Sequence, residues 1–286
     1  MSFRSLRRAV VVGAALCAAA ATAQVPFRHL SSTRNELPAP TGSQQQTVCL
    51  VGDFDRDGRD DFIVASRQGG GKIELWRSLA SGFVRSTIDG SFNNLEAGGT
   101  VFDVDRDGDL DFVIGEDWNG KNIYWWENPQ PNIGGTWTRR VLKSGGSASH
   151  HDQAAGDFDG DGQIELVSWN QGSQSLLLFE VPANPRAGGL WQQKQIWRGA
   201  STEGLAVGDI DGNGVVDIVG GGRYWTHTGG GNYAMTTVHT AQQYAACTHE
   251  PAYIVHSAIA MVGTLLLLIH WLNVGALGHD IVPRAL

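Results

Sequence analysis

Asp53-Phe54-Asp55-Arg56-Asp57-Gly58-Arg59-Asp60-Asp61, followed at once by the apolar run Phe62-Ile63-Val64, decides how this chain is read. The pattern returns as Asp103-Val104-Asp105-Arg106-Asp107-Gly108-Asp109-Leu110-Asp111 and as Asp157-Phe158-Asp159-Gly160-Asp161-Gly162-Gln163-Ile164-Glu165. Its fourth copy is Asp209-Ile210-Asp211-Gly212-Asn213-Gly214-Val215-Val216-Asp217. Positions 1, 3, 5 and 9 carry side-chain oxygens, and position 6 is always glycine. Alternate residues of a tight loop turn their oxygens inward, and calcium, a hard cation, takes roughly six to eight of them. Glycine at position 6 makes the sharp bend without a steric penalty. Position 7 (Arg59, Asp109, Gln163, Val215) changes freely, which fits use of its backbone carbonyl alone. Four plain acidic turns are the alternative, since Asp and Gly are ordinary turn residues; four copies in one register argue against it. An EF-hand is excluded, because position 12 holds Val64, Ile114, Ser168 and Gly220 rather than glutamate, and the flanks read as strands.

The loops start at residues 53, 103, 157 and 209, in steps of 50, 54 and 52. Each copy carries four strand signals. One precedes the loop (Thr47–Val51, Gly99–Phe102, Gln153–Ala155, Leu205–Val207) and one leaves it (Phe62–Ala65, Phe112–Ile114, Leu166–Trp169, Ile218–Val219). A third is aromatic or leucine-rich (Lys72–Trp76, Asn122–Trp126, Ser175–Phe179, Arg223–Trp225), and a fourth follows a turn (Phe83–Thr87, Trp137–Val141, Trp191–Ile196, Tyr233–Val238). Such a period predicts an all-β chain: a β-propeller of four-stranded antiparallel blades with calcium loops. About four blades are recognisable, in a ring that is either small or truncated. The aromatics are expected to pack between blades. Phe27–Ser32 reads as an orphan strand able to close a ring, but where a fifth loop would start the chain runs Ala260 to Ile269 without an acid.

The formal net charge is −8, and the four loops hold more than half of the acidic residues. Four calcium ions would cancel that charge, so no basic partner is needed, and no basic cluster points to nucleic acid. Arg4, Arg7 and Arg8, the apolar stretch Ala9–Ala20 and the small residues Ala21 and Ala23 predict a signal peptide over 1–23 and an exported protein, periplasmic, extracellular or at the cell surface. The repeat domain is expected over 24–245. From Ala252 to Gly278 the chain lacks Asp, Glu, Lys and Arg, so 246–286 reads either as a membrane anchor or as aberrant sequence replacing further blades. Cys49 and Cys247 remain in the mature chain, and their spacing does not decide whether they pair.

From about residue 47 to 240 the chain resembles the FG-GAP/VCBS repeat proteins, on Val51-Gly52-Asp53-Phe54-Asp55-Arg56-Asp57-Gly58 and its three counterparts. Tyr124-Trp125-Trp126-Glu127-Asn128-Pro129 is similar to the third-strand motif of bacterial secreted members. The resemblance implies integrin-α-like propellers with structural calcium, and it implies binding rather than a particular ligand. Family rings commonly hold more blades than the four loops here.

Outside the loops, Glu96, His150, His151, Asp152 and Glu203 precede the first strands and would line one end of a propeller channel. They read either as a ligand or transition-metal site or as ordinary strand capping. Trp118 and Trp169 stand beside amide-rich turns, as sugar-binding platforms do, or as core residues. The sequence offers no serine-centred elbow, zinc-protease histidine pair or phosphate-cradling loop. The leading expectation is a non-enzymatic interaction, adhesion or glycan-binding module with a protein or glycan partner. A secreted carbohydrate-active enzyme or its accessory domain, and a fragment of a longer propeller, are the alternatives.

Overall fold

The computed structural model describes residues 28–41, 44–68, 72–91, 94–95 and 97–238. They form four four-stranded sheets, each an antiparallel meander in chain order. The first holds β1 (Gln44–Gly52), β2 (Asp61–Gln68), β3 (Ile73–Leu79) and β4 (Gly82–Asp89). The second holds β5 (Thr100–Phe102), β6 (Asp111–Gly115), β7 (Ile123–Glu127) and β8 (Thr138–Lys143). The third holds β9 (Gln153–Gly156), β10 (Glu165–Asn170), β11 (Ser175–Glu180) and β12 (Gln192–Arg198). The fourth holds β13 (Leu205–Gly208), β14 (Asp217–Gly220), β15 (Arg223–Gly229) and β16 (Asn232–Thr237). All sixteen strand signals of the sequence are strands, and the described residues contain no α-helix.

The acidic loop is the hinge of each sheet. It folds the chain back so that the residue before it pairs with its own ninth residue: Gly52 with Asp61, Phe102 with Asp111, Gly156 with Glu165, and Gly208 with Asp217. Glycine at position 6 adopts φ of +85°, +90°, +86° and +87° in the four copies, a left-handed bend that a side chain would strain. Position 4 is left-handed too, as Arg56, Arg106, Gly160 and Gly212.

Burial follows the sheet-to-sheet joints. One hydrophobic cluster combines residues of the first and second sheets, among them Ile63, Leu75, Phe112, Trp126 and Trp137. A second joins the second and third sheets through Val113, Trp125, Leu166 and Phe179. A third joins the third and fourth through Val167, Trp169, Ile218 and Trp225. Loop position 2 plugs each joint: Phe54, Val104 and Phe158 are buried in the first, second and third clusters. Ile210, the fourth plug, is 49 % exposed, because no further sheet among the described residues stands against it. Backbone bonds stitch the outer strands as well. Trp137 N–H donates to Ile88 O at 3.0 Å, and Trp191 N–H to Leu142 O at 2.7 Å. Most of the described aromatics are thus inter-sheet packing, as expected from the sequence, with Trp118 the exposed exception.

The expected strand Phe27–Ser32 is corrected. Phe27 lies outside the described residues, and Ser32–Arg34 form a 3-10 turn. Side chains outcompete extension there: Ser31 Oγ accepts from Thr33 N–H at 3.2 Å, while Glu36 accepts from Ser31 N–H at 3.0 Å and pairs with Arg28 and Arg34. The expected signal peptide, the apolar C-terminal segment, Cys247 and Glu96 lie outside the described residues. No helix among the described residues is long and apolar enough to cross a membrane.

Candidate functional site

In each loop the backbone first organises the acids. Asp57 N–H donates to Asp53 Oδ1 at 3.0 Å and Gly58 N–H to Asp53 Oδ2 at 2.9 Å; Asp103, Asp157 and Asp209 accept the same pair of bonds. Position 9 ties the loop to the sheet. Asp61 accepts from Phe54 N–H at 3.2 Å and from Ser78 N–H on β3 at 2.7 Å. Asp111 does the same with Val104 at 3.2 Å and Asn128 at 2.7 Å. Glu165 holds Phe158 N–H at 2.8 Å, and Asp217 holds Ile210 N–H at 2.8 Å.

The result is four clusters whose ligand-capable atoms lie within 4.8 Å of one another: Asp53, Asp55 and Asp57; Asp103, Asp105 and Asp111; Asp157, Asp159 and Glu165; Asp209, Asp211 and Asp217. The remaining expected ligands, Asp61, Asp107, Asp161 and Asn213, stand in the same loops. Burial leaves these carboxylates poorly solvated. It pushes the Asp111 carboxyl up to about 8, Glu165 to about 7 and Asp61 to about 6, and raises Asp105 and Asp217 as well. Asp105 Oδ1 and Asp217 Oδ1 are buried with no hydrogen-bond partner. All-oxygen donor sets on a fixed backbone, two of them with an orphaned buried oxygen, fit a hard divalent cation such as calcium, whose charge replaces the water lost on burial.

Position 7 does more than its variability implies. Arg56, at position 4 of the first loop, forms an ion pair with Asp109 at position 7 of the second. A Cβ on Gly160, position 4 of the third loop, would lie 3.2 Å from Val215 at position 7 of the fourth. The first loop therefore meets the second, and the third the fourth, through these two positions. The sequence hides this, because the partners differ chemically from one contact to the next.

The turns and strand starts at the opposite end of the sheets carry the other predicted residues. His150 is fully buried, its Nε2 2.7 Å from the Lys143 ammonium and 3.0 Å from Asn170 Nδ2. Lys143 also donates to Lys121 O at 2.8 Å, and burial pulls its pKa down to about 8 and that of His150 to about 3. His150 is a packing element that no ligand reaches. Trp169 is likewise buried, edge-on to Trp197 and Trp225 at 5.9 and 5.6 Å.

Of the other candidates among the described residues, Trp118 and Glu203 are exposed, and His151 and Asp152 are half-buried. His151 Nδ1 lies 2.7 Å from Asp152 Oδ2, and its Nε2 faces Glu203 Oε1 at 3.7 Å. Gly204 N–H donates to Asp152 Oδ2 at 2.6 Å. Gln171 links this group to Ser149, donating to Glu203 Oε1 at 3.2 Å and accepting from Ser149 Oγ at 3.1 Å. Ser149 N–H in turn donates to Gly120 O at 2.9 Å, in the turn that presents Trp118. Trp118 is 74 % exposed and held at φ +53°. Glu116 fixes that turn, accepting from Lys121 N–H at 2.8 Å, Asn122 N–H at 3.0 Å and Tyr124 OH at 2.9 Å. Ser149, Gln171, Glu203 and His151 thus form one connected polar row, tied through the Gly120 carbonyl to the turn that carries Trp118. Glu116 and Ser149 escaped the sequence reading, since isolated polar residues in turns give no signal, and Gln171 figured there only as an amide beside Trp169.

Among solved structures, the chain is similar to the crystal structure of the V. cholerae biofilm matrix protein Bap1, at 17 % identity and a TM-score of 0.40. That alignment covers 66 % of this chain and 30 % of the other, so this chain corresponds to under a third of its length. No curated protein matches the sequence. The FG-GAP-like repeat matches three times, at 53–114, 103–168 and 157–220, each span running from one acidic loop into the second strand of the next sheet. Together these spans cover more than half of the chain and contain all four loops, so it belongs to the FG-GAP-like repeat family.

Proposed function

We propose that this chain is an exported β-propeller module in which calcium holds one end of the sheets together and the opposite end binds carbohydrate. Residues 24–245 form the propeller domain in this reading, 1–23 the signal peptide, and 246–286 a segment outside it. Propeller packing is supported by the order of the three inter-sheet cores and by the adjacency of the first strands β1, β5, β9 and β13. The exposed fourth plug, Ile210, supports a ring that continues beyond four sheets. Calcium is supported by the orphaned oxygens at Asp105 and Asp217.

The observation that carries the binding reading is Trp118. A large indole in a left-handed conformation persists only where its surroundings over-determine it. Here Glu116 supplies that restraint, and the ring is spent on solvent rather than on the core. A sugar ring stacks on such a face while hydroxyl, amide and carboxylate groups bond its edges. Ser149, Gln171 and Glu203 are those groups. The test is a glycan array probed with the calcium-loaded protein. Binding lost in Trp118→Ala with an unchanged melting temperature supports the reading, and binding that survives that change rejects it.

A carbohydrate-active enzyme is the second reading, favoured by the His151–Asp152 pair, in which the carboxylate fixes the imidazole and leaves Nε2 toward Glu203. Polysaccharide turnover lost in His151→Ala would support it; binding without turnover would reject it.

A further inference from the structure

The four loops are alike in sequence and unlike in what already neutralises them. The strand registers put Arg77, Glu127, Glu180 and Thr226 beside the loops of the four sheets in turn. In the first sheet Arg77 lies 3.9 Å from Asp55, and Arg59 pairs with Asp57, both from the same sheet. In the second, Glu127 adds a sixth acid to the loop's five, and the compensating charge comes from elsewhere. Arg186, in the short turn Pro185–Ala187 after β11 of the third sheet, reaches across the joint. Its Nε lies 2.8 Å from Asp105 Oδ2 and 2.7 Å from Glu127 Oε1, and its Nη2 bonds Asp107 Oδ2. Arg140 steadies the arrangement from β8, with Nε 2.9 Å from Glu127 Oε2 and Nη1 3.2 Å from Arg186 O. Among the described residues, no arginine or lysine forms an ion pair with the third or fourth loop.

We propose that Arg186 is the resident cation of the second loop, displaced when calcium enters, so that metal binding there exchanges a cross-sheet ion pair for coordination within the loop. The inference rests on the calcium reading above. The guanidinium hydrogen-bonds Glu127 through Nε and Asp107, at position 5, through Nη2, and its Nε stands in ion-pair contact with Asp105 at position 3, so its charge sits on two of the groups a calcium ion requires. A divalent ion placed among the same oxygens is repelled by it. Arg186 is also 42 % exposed at its side chain, so it can swing into water rather than be trapped beside the ion. Two consequences follow. The second loop binds calcium more weakly than its acid count implies, and without calcium Arg186 is a latch between the second and third sheets.

The test is isothermal titration of the full chain with calcium chloride, paired with melting in calcium and in chelator, for wild type, Arg186→Gln and Arg186→Lys. In Arg186→Gln one binding step is expected to tighten by about tenfold, the equivalent of one charge-assisted bond removed from the competing state. Adding Asp103→Ala should abolish that tightened step. The same variant should melt lower than wild type in chelator and no lower in calcium, a divergence that a purely structural role would not produce. Arg186→Lys, which keeps the charge and loses the fork, should lie between. Calcium binding with no step tightened in Arg186→Gln, or with one weakened, overturns the inference and leaves the calcium reading standing. No calcium binding by wild type overturns both. Should Arg186→Gln not fold, the lysine variant decides: an unchanged titration overturns the inference.

Discussion

Replacing Phe54 by alanine should be among the most damaging single changes in this chain, and replacing Ile210 at the same loop position among the mildest. Phe54 is fully buried and meets Trp137 of the next sheet edge-on, with ring centroids 5.8 Å apart. Truncating a buried phenylalanine costs about 3–5 kcal/mol, of which the aromatic pair supplies roughly 0.5–1.5. The backbone contribution survives the change, because Asn128 and Gln130 bond the Phe54 carbonyl at 3.0 and 2.9 Å, not its ring. Ile210 is half exposed, and truncating a surface side chain ordinarily shifts stability by no more than about 0.5 kcal/mol. Urea denaturation in calcium, followed by tryptophan fluorescence, measures both values from the midpoint and slope. For a domain of this size the Phe54 change corresponds to about 6–20 °C in melting temperature. A loss below about 1 kcal/mol in Phe54→Ala would refute the argument that position 2 plugs the joint, whereas a loss above about 2 kcal/mol in Ile210→Ala would mean that a further sheet covers the fourth plug.

Three further outcomes are expected. Asp111, Glu165 and Asp61 have carboxyls raised in the fold to about 8, 7 and 6, so their contribution to stability is complete below the ordinary carboxylate range and is lost as pH rises through those values. Calcium-free protein should therefore melt lower at pH 8 than at pH 5, and saturating calcium should flatten or reverse the trend; a calcium-free melt that rises with pH contradicts this. The third loop, with Glu180 beside it and no arginine paired to it, should bind calcium more tightly than the first, where Arg59 and Arg77 stand on the ligands. Titrations of Asp159→Asn and Asp55→Asn should show the former removing the tighter step. Glu116→Ala should free the turn that presents Trp118, and limited proteolysis should then cut between residues 117 and 121, where wild type resists.

The loops were the most legible part of the sequence, because the geometry they impose is local: alternate acids, a glycine with positive φ, and a return strand begun by position 9. The sixteen strands followed from them. What escaped depends on distance or on alternation. Arg186 lies 79 residues from Asp107, and nothing in its own turn announces the contact. His150 and His151 are neighbours of one residue type, yet one is sealed behind Lys143 and the other faces Glu203, since successive side chains of an extended segment point to opposite sides. The strand expected over Phe27–Ser32 rested on likeness to the fourth strand of a sheet, whereas the bonds of Ser31 and Glu36 decide the backbone there.

The plugs at position 2 also bear on how such a chain changes length over evolution. A unit of sequence from one acidic loop into the second strand of the next sheet carries the plug of a joint and a residue of the facing sheet from the same cluster, Phe54 with Phe112 and Val104 with Leu166. Tandem duplication of that unit inserts a sheet together with a finished joint, and deletion removes both, so neither event disturbs the contacts on either side. Copy number can drift without any new packing solution having to arise. The chemistry that must be reinvented lies only at a sheet face without a neighbour, as at the exposed Ile210 among the described residues.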